Sequence, residues 1–224
     1  MLSYKPEEML RLTFPLIGDG FMPTDYGEAL YAALSRINRQ FHQFDDLRLS
    51  PIRVPMAAGD QLMLKGLSNS FLIQCRAERI RLLLELAGKS IVLLGKTLRI
   101  GIPQIEALQP AGTLIARYVS VKGKDTEAKL TEYLVSEIQR RFGAKCEEDY
   151  ELHILRRRVV TIHNKRIFGF GVALTDIKSE YLSLQIQAHP PGGRGRYGGS
   201  FFTRGQLTNR GEINSSEPEG AMLR

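Results

Sequence analysis

The side chains best suited to moving protons near neutral pH are four histidines, His42, His153, His163 and His189. None sits in an H-E-x-x-H helix, a Ser-His-Asp order or a cysteine cluster, and no Walker loop is present. Metal-assisted hydrolysis and nucleotide hydrolysis therefore have no support in the sequence. His42 stands apart from the others, in the polar loop Asn38-Arg39-Gln40-Phe41-His42 beyond an amphipathic segment. His153 falls in a β-rich run, His163 in a predicted hairpin, and His189 opens a glycine-rich stretch that runs to Phe202. Within that stretch Gly193, Gly195 and Gly198 formally match G-x-G-x-x-G. It follows Pro-Pro rather than a strand and leads to Phe-Phe rather than a helix, so a dinucleotide fold is rejected. What remains is backbone that can approach a ligand closely at Gly192, Gly193 and Gly195, carrying Arg194, Arg196 and Tyr197. Two guanidiniums and a ring suit phosphate contact, base-edge bonding and stacking on RNA. The alternative is a flexible surface loop that is merely basic.

Charge points the same way. The 224 residues hold 31 Lys and Arg against 24 Asp and Glu, a formal charge of +7. Residues 153–204 alone carry nine basic side chains against Asp176 and Glu180, which equals the whole excess. Concentrated basicity attracts a polyanion. Arg156, Arg157 and Arg158 interrupt a predicted strand, so the pleat sends Arg157 to one face and its neighbours to the other. Lys165 and Arg166 adjoin them at a hairpin tip, and the set could follow an RNA backbone; an ordinary wet sheet face is the competing reading.

The elements that must position these residues follow from periodicity. Leu10, Leu12, Phe14 and Leu16 alternate as a strand, then Asp25 and Glu28 read as a capping box before Leu30, Ala33, Leu34 and Ile37 at helical spacing. Strand pieces follow at 47–54 and 62–64, a strand through Phe71, Ile73 and Cys75, a helix through Ile80, Leu83, Leu84 and Ala87 closed by Gly88, and strands around Gly95-Lys96. The second half begins with a strand at 113–122 and a helix from Leu130 to the dipole-matching Arg140 and Arg141. It continues with strands at 152–162 and 167–174 flanking His163-Asn164-Lys165, a short helix at 179–187 and a last strand at 200–203. The fold class expected is α+β: two tandem ferredoxin-like (βαββαβ) units with antiparallel sheets, at 1–108 and 109–204, and a disordered tail at 205–224.

No apolar run reaches the roughly 18–20 residues a bilayer span needs, and the first residues lack a signal-peptide pattern, so the expected location is the cytoplasm with no membrane partner. Cys75 and Cys146 lie in unrelated settings and are expected to be idle thiols.

Several blocks resemble the CRISPR-associated Cas-six endoribonucleases of cyanobacterial and myxobacterial type. They are Pro15-Leu16-Ile17-Gly18-Asp19, the run from Asp25 to Ser35, Leu86-Ala87-Gly88-Lys89, and the terminal glycine loop ending in Phe. The likeness covers 9–203. The glycine loop alone occurs across the wider RAMP superfamily and speaks of RNA binding; the N-terminal block is the more specific signal. The resemblance implies cleavage of precursor CRISPR RNA within each repeat, without metal or cofactor, by attack of the ribose 2′-OH on the adjacent phosphate. It assigns a Tyr at the start of the first helix, a His in the loop after it and a Lys shortly beyond, places held here by Tyr26, His42 and Arg48. Arg48 departs from the pattern, since a guanidinium stabilises phosphate charge but does not readily donate a proton. Partners implied are CRISPR repeat RNA and other effector subunits, with the chain a monomer or weak homodimer. The competing readings are a non-catalytic RAMP subunit that coats guide RNA, and a small basic RNA-associated protein of translation.

Overall fold

The computed structural model describes residues 5–207 and 213–214. In β1 (Met9–Ile17) the predicted alternation holds for Leu12, Phe14 and Leu16, wholly buried on one face, but Leu10 is only half-buried and Arg11, on the other face, is buried too. The chain then passes through β2 (Gly20–Pro23), α1 (Gly27–Ile37), β3 (Arg48–Leu49), β4 (Met56–Ala58), β5 (Gln61–Leu64) and β6 (Ser70–Arg76). It continues with α2 (Ile80–Leu84), the hairpin of β7 (Ser90–Leu93) and β8 (Lys96–Ile100), and β9 (Gln104–Ala107). In the main sheet β6 lies between β3 and β1, and β9 pairs with the far side of β1, all antiparallel. That is the strand order of a ferredoxin-like unit, with β7–β8 added beside the end of β1 and a small sheet β2-β5-β4 folded separately.

The second half repeats the order. β10 (Leu114–Val119), α3 (Glu127–Phe142), β11 (Glu151–Ile162), β12 (Lys165–Thr175), α4 (Glu180–Ala188) and β13 (Thr203–Arg204) give a sheet ordered β11-β12-β10-β13. Local chemistry sets these boundaries. Thr126 caps α3 by accepting from the Lys129 amide, Gly143 closes it in the left-handed region at φ 73°, and Ser179 caps α4 at the Leu182 amide. His163 and Asn164, both at positive φ, form the two-residue turn between β11 and β12. Beyond β13, β14 (Gln206–Leu207) pairs with β15 (Ile213–Asn214); the rest of the expected tail lies outside the described residues.

Four local expectations are corrected. α2 ends at Leu84, because the Leu86 and Ala87 amides turn back three residues and the Gly88 amide bonds the Ile100 carbonyl instead. The β7–β8 turn is Leu94-Gly95 rather than Gly95-Lys96. Of 47–54 only Arg48–Leu49 is strand, with an isolated bridge at Arg53. The last strand begins at Thr203, since Ser200 takes φ 50° and its amide is bonded to the Tyr118 carbonyl.

Two apolar clusters fill the halves, one built on Leu12, Leu34, Phe41 and Phe71, the other on Leu114, Leu134, Val172 and Phe202. The opposite face of β1 is covered as well. Arg11 is 2% exposed there; its Nε donates to Gln74 (3.1 Å), its Nη2 to the Phe202 carbonyl (2.6 Å), and its guanidinium lies over the Phe201 ring. Gln74 in turn donates to the Gln187 carbonyl at 2.7 Å, so a buried polar ladder joins β1 and β6 to α4 and the end of the glycine loop. No described helix is long and apolar enough to cross a membrane.

Candidate functional site

α1 begins without the capping box its sequence suggests. Asp25 and Glu28 reach instead across to the β11–β12 hairpin: Asp25 Oδ2 accepts from the Thr161 amide and Glu28 Oε2 from the His163 amide, both at 2.9 Å. Glu28 Oε1 also lies 2.6 Å from His163 Nδ1. Between them Tyr26 turns inward. It is 7% exposed, its hydroxyl accepts from the Ile52 amide at 2.5 Å, and burial pushes its pKa up to about 12. Tyr26 therefore stays protonated at neutral pH.

His42 stands exposed on the 3-10 turn Arg39–Gln43, whose first amides are tied by Asn38 and whose Phe41 is wholly buried. With Phe41 pointing into the core, His42 faces outward. Its Nδ1 lies 2.9 Å from the hydroxyl of Tyr31, a 5%-exposed residue of α1. Tyr31, rather than Tyr26, is therefore the tyrosine bonded to His42.

The glycine loop is an ordered structure and not a loose strap. The Tyr197 and Gly199 amides both bond the Arg194 carbonyl, the Gly193 amide bonds the Ser120 carbonyl, and Ser200 Oγ donates back to the Gly193 carbonyl. Its 3-10 turn, Gly195–Tyr197, presses on the first unit at three points. A Cβ on Gly195 would sit 2.6 Å from Arg48 Nη1, so the turn comes close to the end of the Arg48 side chain, which would have to move aside for any larger residue. Arg196 Nη2 donates to the Phe44 carbonyl (2.9 Å) and lies 3.3 Å from Asp45. Tyr197 packs edge-to-face on Tyr31 with centroids 5.4 Å apart, and a Cβ on Gly27 would meet its carbonyl oxygen at 2.5 Å. Arg196 is thereby held against protein, while Arg194, at φ 67°, stays exposed.

Beside this contact a cleft of about 690 Å³ opens between the units, lined by Tyr26, Glu28, Ser50, Arg117, Arg156, Arg158 and Tyr197 among others. A bulge between Ile154 and Arg157 re-aims β11. Arg156 and Arg158 line the cleft, whereas Arg157 lies 4.4 Å over the Phe168 ring on the other face, as the pleat predicts. Arg158 has its pKa lowered, first by burial and then by the nearby Arg117 and Arg156. No carboxylate pairs with these three among the described residues, so they crowd like charge that an anion would relieve. Lys165 and Arg166 are exposed at the hairpin tip and do not line the cleft. Sequence reasoning missed Arg117, a lone cation in an apolar strand, and Tyr31, which the helical pattern treats as core. It placed His163 in the hairpin without seeing its tie to α1.

Among the described residues no three His, Cys, Asp or Glu side chains gather as metal ligands. Comparison with known proteins then supplies the family. The sequence model described as Cas6 Crispr matches residues 10–205. A curated relative, the CRISPR-associated endonuclease Cas6 of Myxococcus xanthus (strain DK1622), is 30% identical over 191 residues, spanning 85% of this chain and 79% of that protein. Among solved structures, a CRISPR associated protein Cas6 superposes with a TM-score of 0.58 at 10% identity, covering 88% of this chain and 99% of that one. The product of a Cas6-related gene from Pyrococcus furiosus gives 0.55 at 10% identity, covering 94% and 99%. Tandem ferredoxin-like units, a bonded glycine loop seated on the first of them and a sequence match over nearly all of both units together make this chain a member of the Cas6 family.

Proposed function

We propose that this chain is an endoribonuclease that cleaves precursor CRISPR RNA within its repeats, without metal, leaving a 2′,3′-cyclic phosphate. The observation that supports the reading is the seating of Gly195–Tyr197 against Arg48 and Tyr31: Tyr197 lines the arginine-walled cleft, and Tyr31 is bonded to His42, which with Arg48 lies outside the cleft lining. The myxobacterial relative's name supports the activity.

The chemistry follows from what these residues offer. The ribose 2′-oxygen forms a bond to the adjacent phosphorus while the bond from phosphorus to the 5′-oxygen breaks; the 2′ proton leaves to a base and another proton reaches the 5′-oxygen. No water is consumed. His42 is the group able to take or give that proton, Arg48 the fixed cation for the phosphorane charge, and Arg117, Arg156 and Arg158 with Arg194 the sites for neighbouring phosphates. Tyr26, protonated and accepting from the Ile52 amide, keeps its hydroxyl hydrogen available at the cleft wall.

The test is cleavage of a host repeat RNA under single-turnover conditions. Cutting should persist in excess EDTA, stop when the nucleotide before the cut is 2′-deoxy, and slow about a hundredfold or more in His42→Ala with affinity nearly intact. A metal requirement refutes the mechanism. Tight binding with no cleavage leaves the RNA-coating subunit instead.

A further inference from the structure

Four rings form a row across the boundary between the units. The His42 and Tyr31 centroids are 5.3 Å apart, Tyr31 and Tyr197 5.4 Å, and Tyr197 and His163 6.0 Å. Each pair meets nearly perpendicular, at 87°, 82° and 86°, the favoured edge-to-face arrangement. Both ends of the row are tied. At one end the Tyr31 hydroxyl lies 2.9 Å from His42 Nδ1 and 3.5 Å from the Phe41 carbonyl. At the other, the Tyr197 hydroxyl lies 3.4 Å from His163 Nε2, and Glu28 holds His163 through both its ring and its amide.

We propose that Tyr197 is a positioning residue for His42: it holds Tyr31 in place, and Tyr31 sets the orientation and tautomer of the histidine that transfers the proton. The inference rests on the proposed role of His42 and gives the glycine loop a task other than contacting RNA. Tyr31 has one hydroxyl hydrogen. When it goes to the Phe41 carbonyl, the oxygen accepts from Nδ1–H and leaves Nε2 turned to the substrate. A swing of the Tyr31 side chain about its Cα–Cβ bond would carry the hydroxyl away from Nδ1, and the Tyr197 ring packed against it resists that swing. Gly27 permits this contact by letting the Tyr197 backbone come within reach of α1. Arg196 anchors the same turn at Phe44, two residues past His42. Tyr197 also borders the cleft, and its ring lies between Tyr31 and His163.

The test separates chemistry from binding. Rates are measured at saturating enzyme on a host repeat RNA, and Kd on the same RNA with a 2′-deoxy nucleotide at the cut. Tyr197→Ala should slow cleavage about tenfold with Kd changed less than about twofold, and Tyr197→Phe, which keeps the ring, should restore the rate to within about threefold. In a His42→Ala background Tyr197→Ala should cost less than about twofold more, because what it positioned is gone. Tyr31→Phe, which leaves the packed ring and removes only the hydroxyl, should give the same cycle and serves if Tyr197→Ala does not fold. Weakened Kd with an unchanged saturating rate makes Tyr197 an RNA contact and overturns the proposal, as does an equal rate loss in both backgrounds. Slow His42→Ala beside full-speed Tyr31→Phe and Tyr197→Ala removes this proposal alone, whereas full-speed His42→Ala removes the reading beneath it as well.

Discussion

Replacing Arg11 with Ala should destabilise the whole molecule although the residue does not line the cleft. The guanidinium is 2% exposed and makes charged hydrogen bonds to Gln74 and the Phe202 carbonyl, with the Phe201 ring under it. Each charge-assisted bond is worth about 1.5–3 kcal/mol, and the two acceptors it abandons stay buried. Allowing for water entering the space left by the side chain, the loss comes to about 4 kcal/mol. For a chain of this size that lowers Tm by roughly 10 °C. Scanning calorimetry should show that shift and also a broader or divided transition, because Arg11 fastens the first sheet to the strand-entering end of the second unit. Arg11→Met, which refills the volume but leaves the same acceptors unpaired, should lose about half as much. A drop in Tm below about 2 °C with a single sharp transition would refute the claim that this ladder joins the units.

Three further outcomes follow from the site. Arg156→Ala with Arg158→Ala should weaken RNA binding and flatten the dependence of log Kd on log salt by about 1.4, while Arg157→Ala, whose guanidinium lies over Phe168, flattens it less; titrations at several salt concentrations decide. Arg194→Ala should likewise reduce the salt slope, but Arg196→Ala should instead cost about 1 kcal/mol in urea unfolding through its lost bond to Phe44, with the slope little changed. Gly27→Ala pushes the Tyr197 carbonyl away from α1 at an overpacking cost of about 1–3 kcal/mol, and single-turnover cleavage should fall by more than thermal stability does.

What could be read from the sequence divides along physical lines. Leu12, Phe14 and Leu16, or Leu130, Leu134 and Ile138, repeat at the period of the element that buries them, so strand and helix were legible. β2, β4 and β9 are short and mostly exposed and were missed, since a strand without a regularly buried face offers no period, whereas the equally short β5 and β7 alternate in burial. Asp25 and Glu28 have the spacing of a cap, and a local rule had no means of knowing that the Thr161 and His163 amides, more than a hundred residues on, would claim them. The glycine loop was legible as a site of close approach but not as to what it approaches. That Arg48 and Gly27 are the near neighbours depends on how the two units dock, and docking leaves no period in either half.

The site draws on opposite ends of the chain: Tyr31, His42 and Arg48 come early, Tyr197 and Phe202 late. On the ribosome the first unit can collapse around its own apolar cluster while the glycine loop is still untranslated. Throughout that interval the nascent chain has its histidine but lacks the ring against Tyr31 and the carbonyl that receives Arg11. On the proposed mechanism, competence to cut arrives only when the glycine loop has been made, so a chain ending before that loop would hold a folded first unit without the contact that positions its histidine.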